Sequence, residues 1–116
     1  MNKREKGSRY EDMAASFYQE KGCRLLEKNY RRKTGEIDLI VADGGTIVFS
    51  EVKFRKKARN GFPEEAVNYA KQQRIMRTAE WYLLEHRLPE TTPCRFDVIS
   101  ILDQEITQIE NAFGGF

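Results

Sequence analysis

EIDLIVADGGTIVFSEVKF, residues 36–54, is the stretch on which the fold turns. Glu36–Ala42 and Thr46–Phe54 are two runs rich in β-branched and aromatic residues, separated by Asp43-Gly44-Gly45, the pattern of a β-hairpin. With Gly44-Gly45 as a two-residue turn, position i on the first strand faces position 89 − i on the second, so Asp38 faces Glu51, Glu36 faces Lys53 and Ile40 faces Phe49. A four-residue loop over Asp43–Thr46 gives the same pairing, whereas a three-residue loop puts Asp38 opposite Ser50.

On the N-terminal side, Tyr10, Met13, Ala14, Phe17 and Tyr18 recur at the three- and four-residue steps of an amphipathic helix over about Ser8–Lys21, stopping before Gly22. Arg24–Tyr30 reads as a short strand and Arg31–Gly35 as a basic turn. On the C-terminal side, Arg55–Gly61 is a polar, basic loop. Pro63 opens a second helix with Glu64 and Glu65 in its first turn, and Ala66, Ala70, Ile75, Ala79, Tyr82 and Leu83 supply its apolar stripe to about His86. Trp81 and Tyr82 are expected in the core. Cys94–Leu102 and Glu105–Ile109 are two further strands meeting near Asp103-Gln104. The order predicts an α/β fold, a central mixed β-sheet of about five strands flanked by helices.

A chain of 116 residues, 40% hydrophobic and 33% charged, matches one globular domain spanning residues 1–116. No apolar run approaches the ~20 residues of a membrane-spanning helix. The charged start has no apolar segment behind it, so the expected location is cytoplasmic, with no membrane partner. Cys23 and Cys94 lack metal-binding spacing and are expected to be small buried residues. His86 is the only histidine, which removes Ser-His-Asp and Cys-His catalysis and most zinc sites. Any chemistry runs on carboxylates and lysines.

The net charge of +2 conceals segregation. Residues 1–35 hold ten Lys/Arg against five Asp/Glu, and residues 53–77 hold eight against two. Between them, residues 36–52 contain four acids and no base. Basic blocks around an acidic centre suit a protein that grips phosphates beside a carboxylate site, although solvated helix faces give the same count.

In the hairpin register that pairs Asp38 with Glu51, their Cβ atoms stand ~5 Å apart, an arrangement that destabilises by roughly 0.2–1 kcal/mol unless something offsets it. A divalent cation would do so, since Mg²⁺ is commonly held by one or two carboxylates together with waters and phosphate oxygens. Lys53 shares a strand face with Glu51 and brings an ammonium to the same point. Glu and Lys at alternate positions also line solvated strand faces. Here, however, Ile40 and Phe49 border the pair with a covered surface, and Lys28, Arg31, Arg32, Lys33, Arg55, Lys56 and Lys57 surround it with cations suited to a phosphate backbone. Lys71 and Arg74, near the middle of the second helix, are further candidates for phosphate contact.

Asp38 followed by Glu51-Val52-Lys53 after a hairpin turn resembles the D…(D/E)xK signature of the restriction-endonuclease-like, PD-(D/E)xK superfamily, which includes Holliday junction resolvases. A longer string is similar to the YraN family of bacterial predicted endonucleases along nearly the whole chain. It comprises Gly7…Glu11, Asn29-Tyr30-Arg31, Gly35–Ile40, Val48–Arg55, Ala66-Val67…Lys71, Arg95–Val98 and Asn111–Phe113. Departures from that family are Tyr10, Ile37 and Phe54, where it often has glycine, proline and threonine. The resemblance implies a resolvase-like α/β core, with Glu11, Asp38, Glu51 and Lys53 as active-site positions.

The expected activity is therefore metal-dependent endonucleolytic cleavage of DNA, with branched or repair intermediates among the candidate substrates. Asp38, Glu51 and the Val52 carbonyl would hold Mg²⁺ or Mn²⁺, with Glu11 completing the shell or taking a second ion. Lys53 would orient or deprotonate the attacking water or neutralise developing charge. A homodimer suits an enzyme acting on paired strands. The competing expectations are a nucleic-acid-binding or adaptor protein that keeps the fold without cutting, and a protein-interaction domain whose basic blocks only solubilise it.

Overall fold

The computed structural model describes residues 3–55 and 67–114. Helix α1 spans Lys3–Glu20, strand β1 Arg24–Arg32, β2 Gly35–Asp43, β3 Thr46–Arg55, helix α2 Tyr69–Glu85, β4 Cys94–Leu102 and β5 Glu105–Phe113. The strands form one sheet in the order β1-β2-β3-β4-β5. All neighbours are antiparallel except β3 and β4, which run parallel because the connection between them crosses over through α2. This is the expected α/β architecture, a five-strand mixed sheet with two helices, consistent with a resolvase-like core.

Each sheet face is covered by one helix. Ala14, Ala15 and Tyr18 of α1 pack on Leu39, Val41, Val48, Ile99 and Ile101. Ile75, Ala79, Tyr82 and Leu83 of α2 pack on Tyr30, Ile37, Ile40, Phe49, Phe96 and Val98. Burial on both faces is why the central strands read as nearly continuous apolar runs. Neither described helix is long and apolar enough to cross a membrane.

The β2–β3 hairpin closes on Gly44-Gly45, with Gly44 at φ +59° and Asp43 paired to Thr46. Leu39 pairs with Ser50 and Ile40 with Phe49, the register of the two-residue turn. Helix α1 stops as expected at Gly22, whose φ of +92° lets the amide of Cys23 bond back to the Tyr18 carbonyl at 3.0 Å. Asp103 and Gln104, both at positive φ, make the β4–β5 turn.

Several boundaries differ from expectation. The second helix starts at Tyr69, capped by Asn68, whose side chain accepts the Lys71 amide at 2.9 Å. The expected run of one helix from Pro63 fails at Val67 and Asn68, which are not helical, and Pro63, Glu64, Glu65 and Ala66 lie outside the described residues. Ala70, expected in the apolar stripe, is exposed. Trp81 is 46% exposed rather than buried, while Tyr82 is in the core. Cys23 is buried and Cys94 only half-buried, both as free thiols. Strand β5 runs four residues past Ile109, because the Asn111 amide is captured by the Asp97 carboxylate at 2.9 Å and Phe113 stacks on Phe96.

Asp97, fully buried, anchors this side of the sheet. It accepts from Arg95 Nε at 3.1 Å and Gln108 Nε2 at 3.1 Å, and the Tyr18 hydroxyl lies 2.8 Å away. That hydroxyl, also 2.9 Å from Ser50 Oγ, is held far above the usual phenol range by burial and then by the Asp97 charge.

Candidate active site

The site lies at one end of the sheet, where β2 begins and β3 ends. Beyond Leu39–Ser50 the ladder opens, and the Asp38 carboxylate takes the place of a backbone acceptor, receiving the Val52 amide at 2.8 Å. That bond brings together Asp38 and the backbone of the strand carrying Glu51 and Lys53. Glu51 is 5% exposed, and its Oε1 is met by Lys53 Nζ at 3.3 Å and Lys71 Nζ at 2.5 Å. Lys53 reaches it along the same strand face, and Lys71 comes from the first turn of α2.

Burial, then the negative charge of Glu51, push the Asp38 carboxyl up to about 8, against the opposing pull of the Val52 amide. Glu11 and Glu36 add to the same upward push. Lys53 is lowered from the ordinary lysine value, by burial first and then by the neighbouring Lys71, with Glu51 resisting. For Lys71 burial alone would lower the value, but the hydrogen bonds and charge of its neighbours outweigh it and the net shift is upward.

Glu11, partly buried on α1, hydrogen-bonds the side chain of Asn29. Its carboxyl is raised, chiefly by burial. Asn29 itself stands between Lys28, opposite Leu39, and Tyr30, opposite Ile37, which sets it across from Asp38. Its φ of +55° is left-handed in the middle of a strand, a conformation Asn tolerates better than most residues. Nothing in the hairpin arithmetic pointed to Asn29, and the only hint was one Asn inside a strand-like run. Lys71 was expected as a phosphate contact, not as a partner of Glu51. Its approach depends on how α2 crosses the sheet, which local spacing does not encode.

The basic residues divide. Arg31 pairs with Glu36 at 3.2 Å, so Glu36 does not pair with Lys53 as the register had suggested. Arg32 is engaged by Glu85 at 2.9 Å and lies over the Tyr30 ring. Lys28 pairs with Asp12. Lys33, in the β1–β2 turn, and Arg74 on α2 are exposed. Arg55 ends β3, and Lys56 and Lys57 lie outside the described residues.

A match to the model of the uncharacterised protein family UPF0102 covers residues 10–101, a span that includes Glu11, Asp38, Glu51, Lys53 and Lys71. The chain belongs to the UPF0102 family. A UPF0102 protein from Lachnoclostridium phytofermentans is 49% identical over 116 residues, covering 100% of this chain and 98% of the relative. UPF0102 proteins from Thermodesulfovibrio yellowstonii and Clostridioides difficile are 46% and 43% identical, covering 94% and 97% of this chain and 96% and 100% of their own lengths. A UPF0102 member of this size is thus matched nearly end to end.

Among the described residues no three His, Cys, Asp or Glu side chains gather into a metal cage. The donor set is the Asp38 and Glu51 carboxylates with the Val52 backbone beside them. Two interacting carboxylates, one of them met by two lysines, are a donor set that suits a hard divalent ion keeping waters and substrate oxygens in its remaining positions.

Proposed function

We propose that this UPF0102 protein is a metal-dependent endonuclease of the YraN and PD-(D/E)xK kind, hydrolysing phosphodiester bonds in DNA. The observation that carries the reading is the convergence of Asp38, Glu51 and Lys53 where the β2–β3 ladder opens, with Asp38 held near 8 by burial and the Glu51 charge. A folded protein with no use for positive charge there would gain by replacing Asp38, whose buried carboxyl is opposed by the Glu51 charge.

In this reading Asp38, Glu51 and the Val52 carbonyl hold Mg²⁺ or Mn²⁺. The ion would supply an acidified water and a counter-charge for the scissile phosphate. Lys53, lowered by its burial, would accept or steer a proton of the attacking water, or neutralise charge developing on the phosphate. Glu11, steadied by Asn29, bounds the acidic side of the site. Lys33, Arg55 and Arg74 would serve the phosphate backbone, as would Lys56 and Lys57 by their charge.

A second reading, a nucleic-acid-binding or adaptor protein that does not cut, draws on the ion pairs of Glu51 with two lysines, which neutralise it without any metal. One assay separates the two. Branched, flapped, nicked and linear DNA, with matching RNA, are incubated with Mg²⁺ or Mn²⁺ and with wild type, Asp38→Ala and Lys53→Ala. Cleavage by wild type alone supports the nuclease. Cleavage surviving both substitutions equally overturns the site, and tight, salt-sensitive binding without cleavage favours the adaptor. Light scattering of the same samples reads whether the acting species is a homodimer.

A further inference from the structure

We propose that Lys71 is a tethered cation that occupies Glu51 when no divalent ion is present, and that the ion binds only by displacing it. The inference rests on the metal-dependent reading above and adds an exchange step to it.

Three observations support it. First, Lys71 Nζ is 2.5 Å from Glu51 Oε1, closer than Lys53 Nζ at 3.3 Å, and both ammoniums converge on the same oxygen. A divalent ion seated on that oxygen would face both ammoniums at contact distance with little water between them, and the repulsion opposes its binding until the nearer one withdraws. Second, Lys53 is carried by the same strand as Glu51, whereas Lys71 comes from another element at the end of a four-carbon stem. Lys71 is therefore the one able to withdraw without disturbing β3. Third, Lys71 is badly placed for its own helix. Its amide is bonded to the Asn68 cap in the first turn of α2, where the helix dipole disfavours cations and a capping pattern prefers Glu or Gln. Contact with Glu51 accounts for a lysine there; helix stability does not.

Weak metal affinity in the absence of substrate follows from the exchange. Displaced, the ammonium is left beside two carboxylates and an ion, the place where a phosphate oxygen of the substrate would satisfy it.

The test is calorimetric titration of the intact protein with Mn²⁺ alone, without nucleic acid, for wild type, Lys71→Met, Lys71→Gln, Lys71→Arg, Arg77→Met and Glu51→Gln. Lys71→Met and Lys71→Gln are expected to bind Mn²⁺ at least about tenfold more tightly than wild type, since both remove the competitor. Lys71→Arg keeps a cation and stays within about threefold of wild type. Arg77→Met removes an exposed charge elsewhere on α2 and also stays within about threefold, which excludes a mere change of net charge. Two neutral variants guard against one failing to fold, which circular dichroism reports. If wild type binds Mn²⁺ through Glu51 and the neutral Lys71 variants bind no more tightly, the exchange is refuted and the metal site stands. If neither wild type nor the Lys71 variants bind Mn²⁺, or Glu51→Gln leaves binding unchanged, the metal-dependent reading falls and the exchange falls with it.

Discussion

Replacing Asp38 by Asn should make the protein more stable, and by an amount that depends on pH. The Asp38 carboxyl is raised from 3.8 to about 8, chiefly by burial and then by the Glu51 charge. The folded protein therefore keeps this proton through a range in which the unfolded chain has lost it. A raised carboxyl contributes its full stability below about pH 4, and that contribution is lost as pH rises towards about 8. In between, folding takes up one proton, so stability falls by ~1.4 kcal/mol per pH unit. Over the whole window the arithmetic reaches on the order of 5 kcal/mol, and water penetration and relaxation around a partly buried group reduce the working expectation to about 2–4 kcal/mol. Asn keeps an oxygen for the Val52 amide but cannot ionise, so Asp38→Asn lacks this loss.

The assay is urea denaturation followed by circular dichroism in EDTA, at steps from about pH 5 to about pH 9, for wild type and variant. The stability of the variant minus that of wild type should grow with pH and level off above about pH 8. With Mn²⁺ in place of EDTA the difference should shrink or reverse at high pH, because an ion bound to native protein stabilises it and needs the Asp38 carboxylate. A stability difference in EDTA that stays constant within about 0.5 kcal/mol across the range refutes the argument that burial and the Glu51 charge hold Asp38 protonated.

Lys53→Met should lower cleavage by about a hundredfold or more on any substrate the wild type cuts, while DNA affinity, measured by anisotropy, changes by less than about threefold. Tyr18→Phe removes the hydroxyl beside buried Asp97 and Ser50 and should cost about 1–3 kcal/mol in urea denaturation without affecting Mn²⁺ affinity. Gly35→Ala combines a φ of +151° with a new Cβ 3.3 Å from Thr78 Oγ1 and 3.4 Å from Arg74 Cβ, and should cost about 1–3 kcal/mol by the same measurement.

Residues 36–54 disclosed their hairpin and its register because three local signals agree there: glycines at the turn, β-branched runs on either side and a matched apolar pair, Ile40 and Phe49. The stop of α1 was equally legible at Gly22. What escaped depends on which element lands beside which. Glu36 found Arg31 on β1 rather than Lys53 on β3, since a central strand has two neighbours and the hairpin rule describes one. The start of α2 was drawn to Pro63 by a good N-terminal signature, while the stronger local device, an Asx cap at Asn68, sat five residues further on. Trp81 shares a helix turn with buried Tyr82 yet faces outward, a distinction that helical spacing leaves to packing.

Three local choices in this chain run against the ordinary preferences of their elements. Asp38 and Glu51 bring two carboxylates together where β2 and β3 part. Asn29 adopts a left-handed backbone inside β1. Lys71 occupies the first turn of a helix that its charge opposes. Each alone has a bland explanation. They are not independent, however: Asn29 lies across from Asp38 and holds Glu11, while Lys71 holds Glu51. Elsewhere the chain follows the rules of packing closely, and among the described residues no buried side-chain polar atom lacks a hydrogen-bond partner. These residues meet at one end of the sheet, and they carry the charges that the proposed binding of a cation and a phosphate would require.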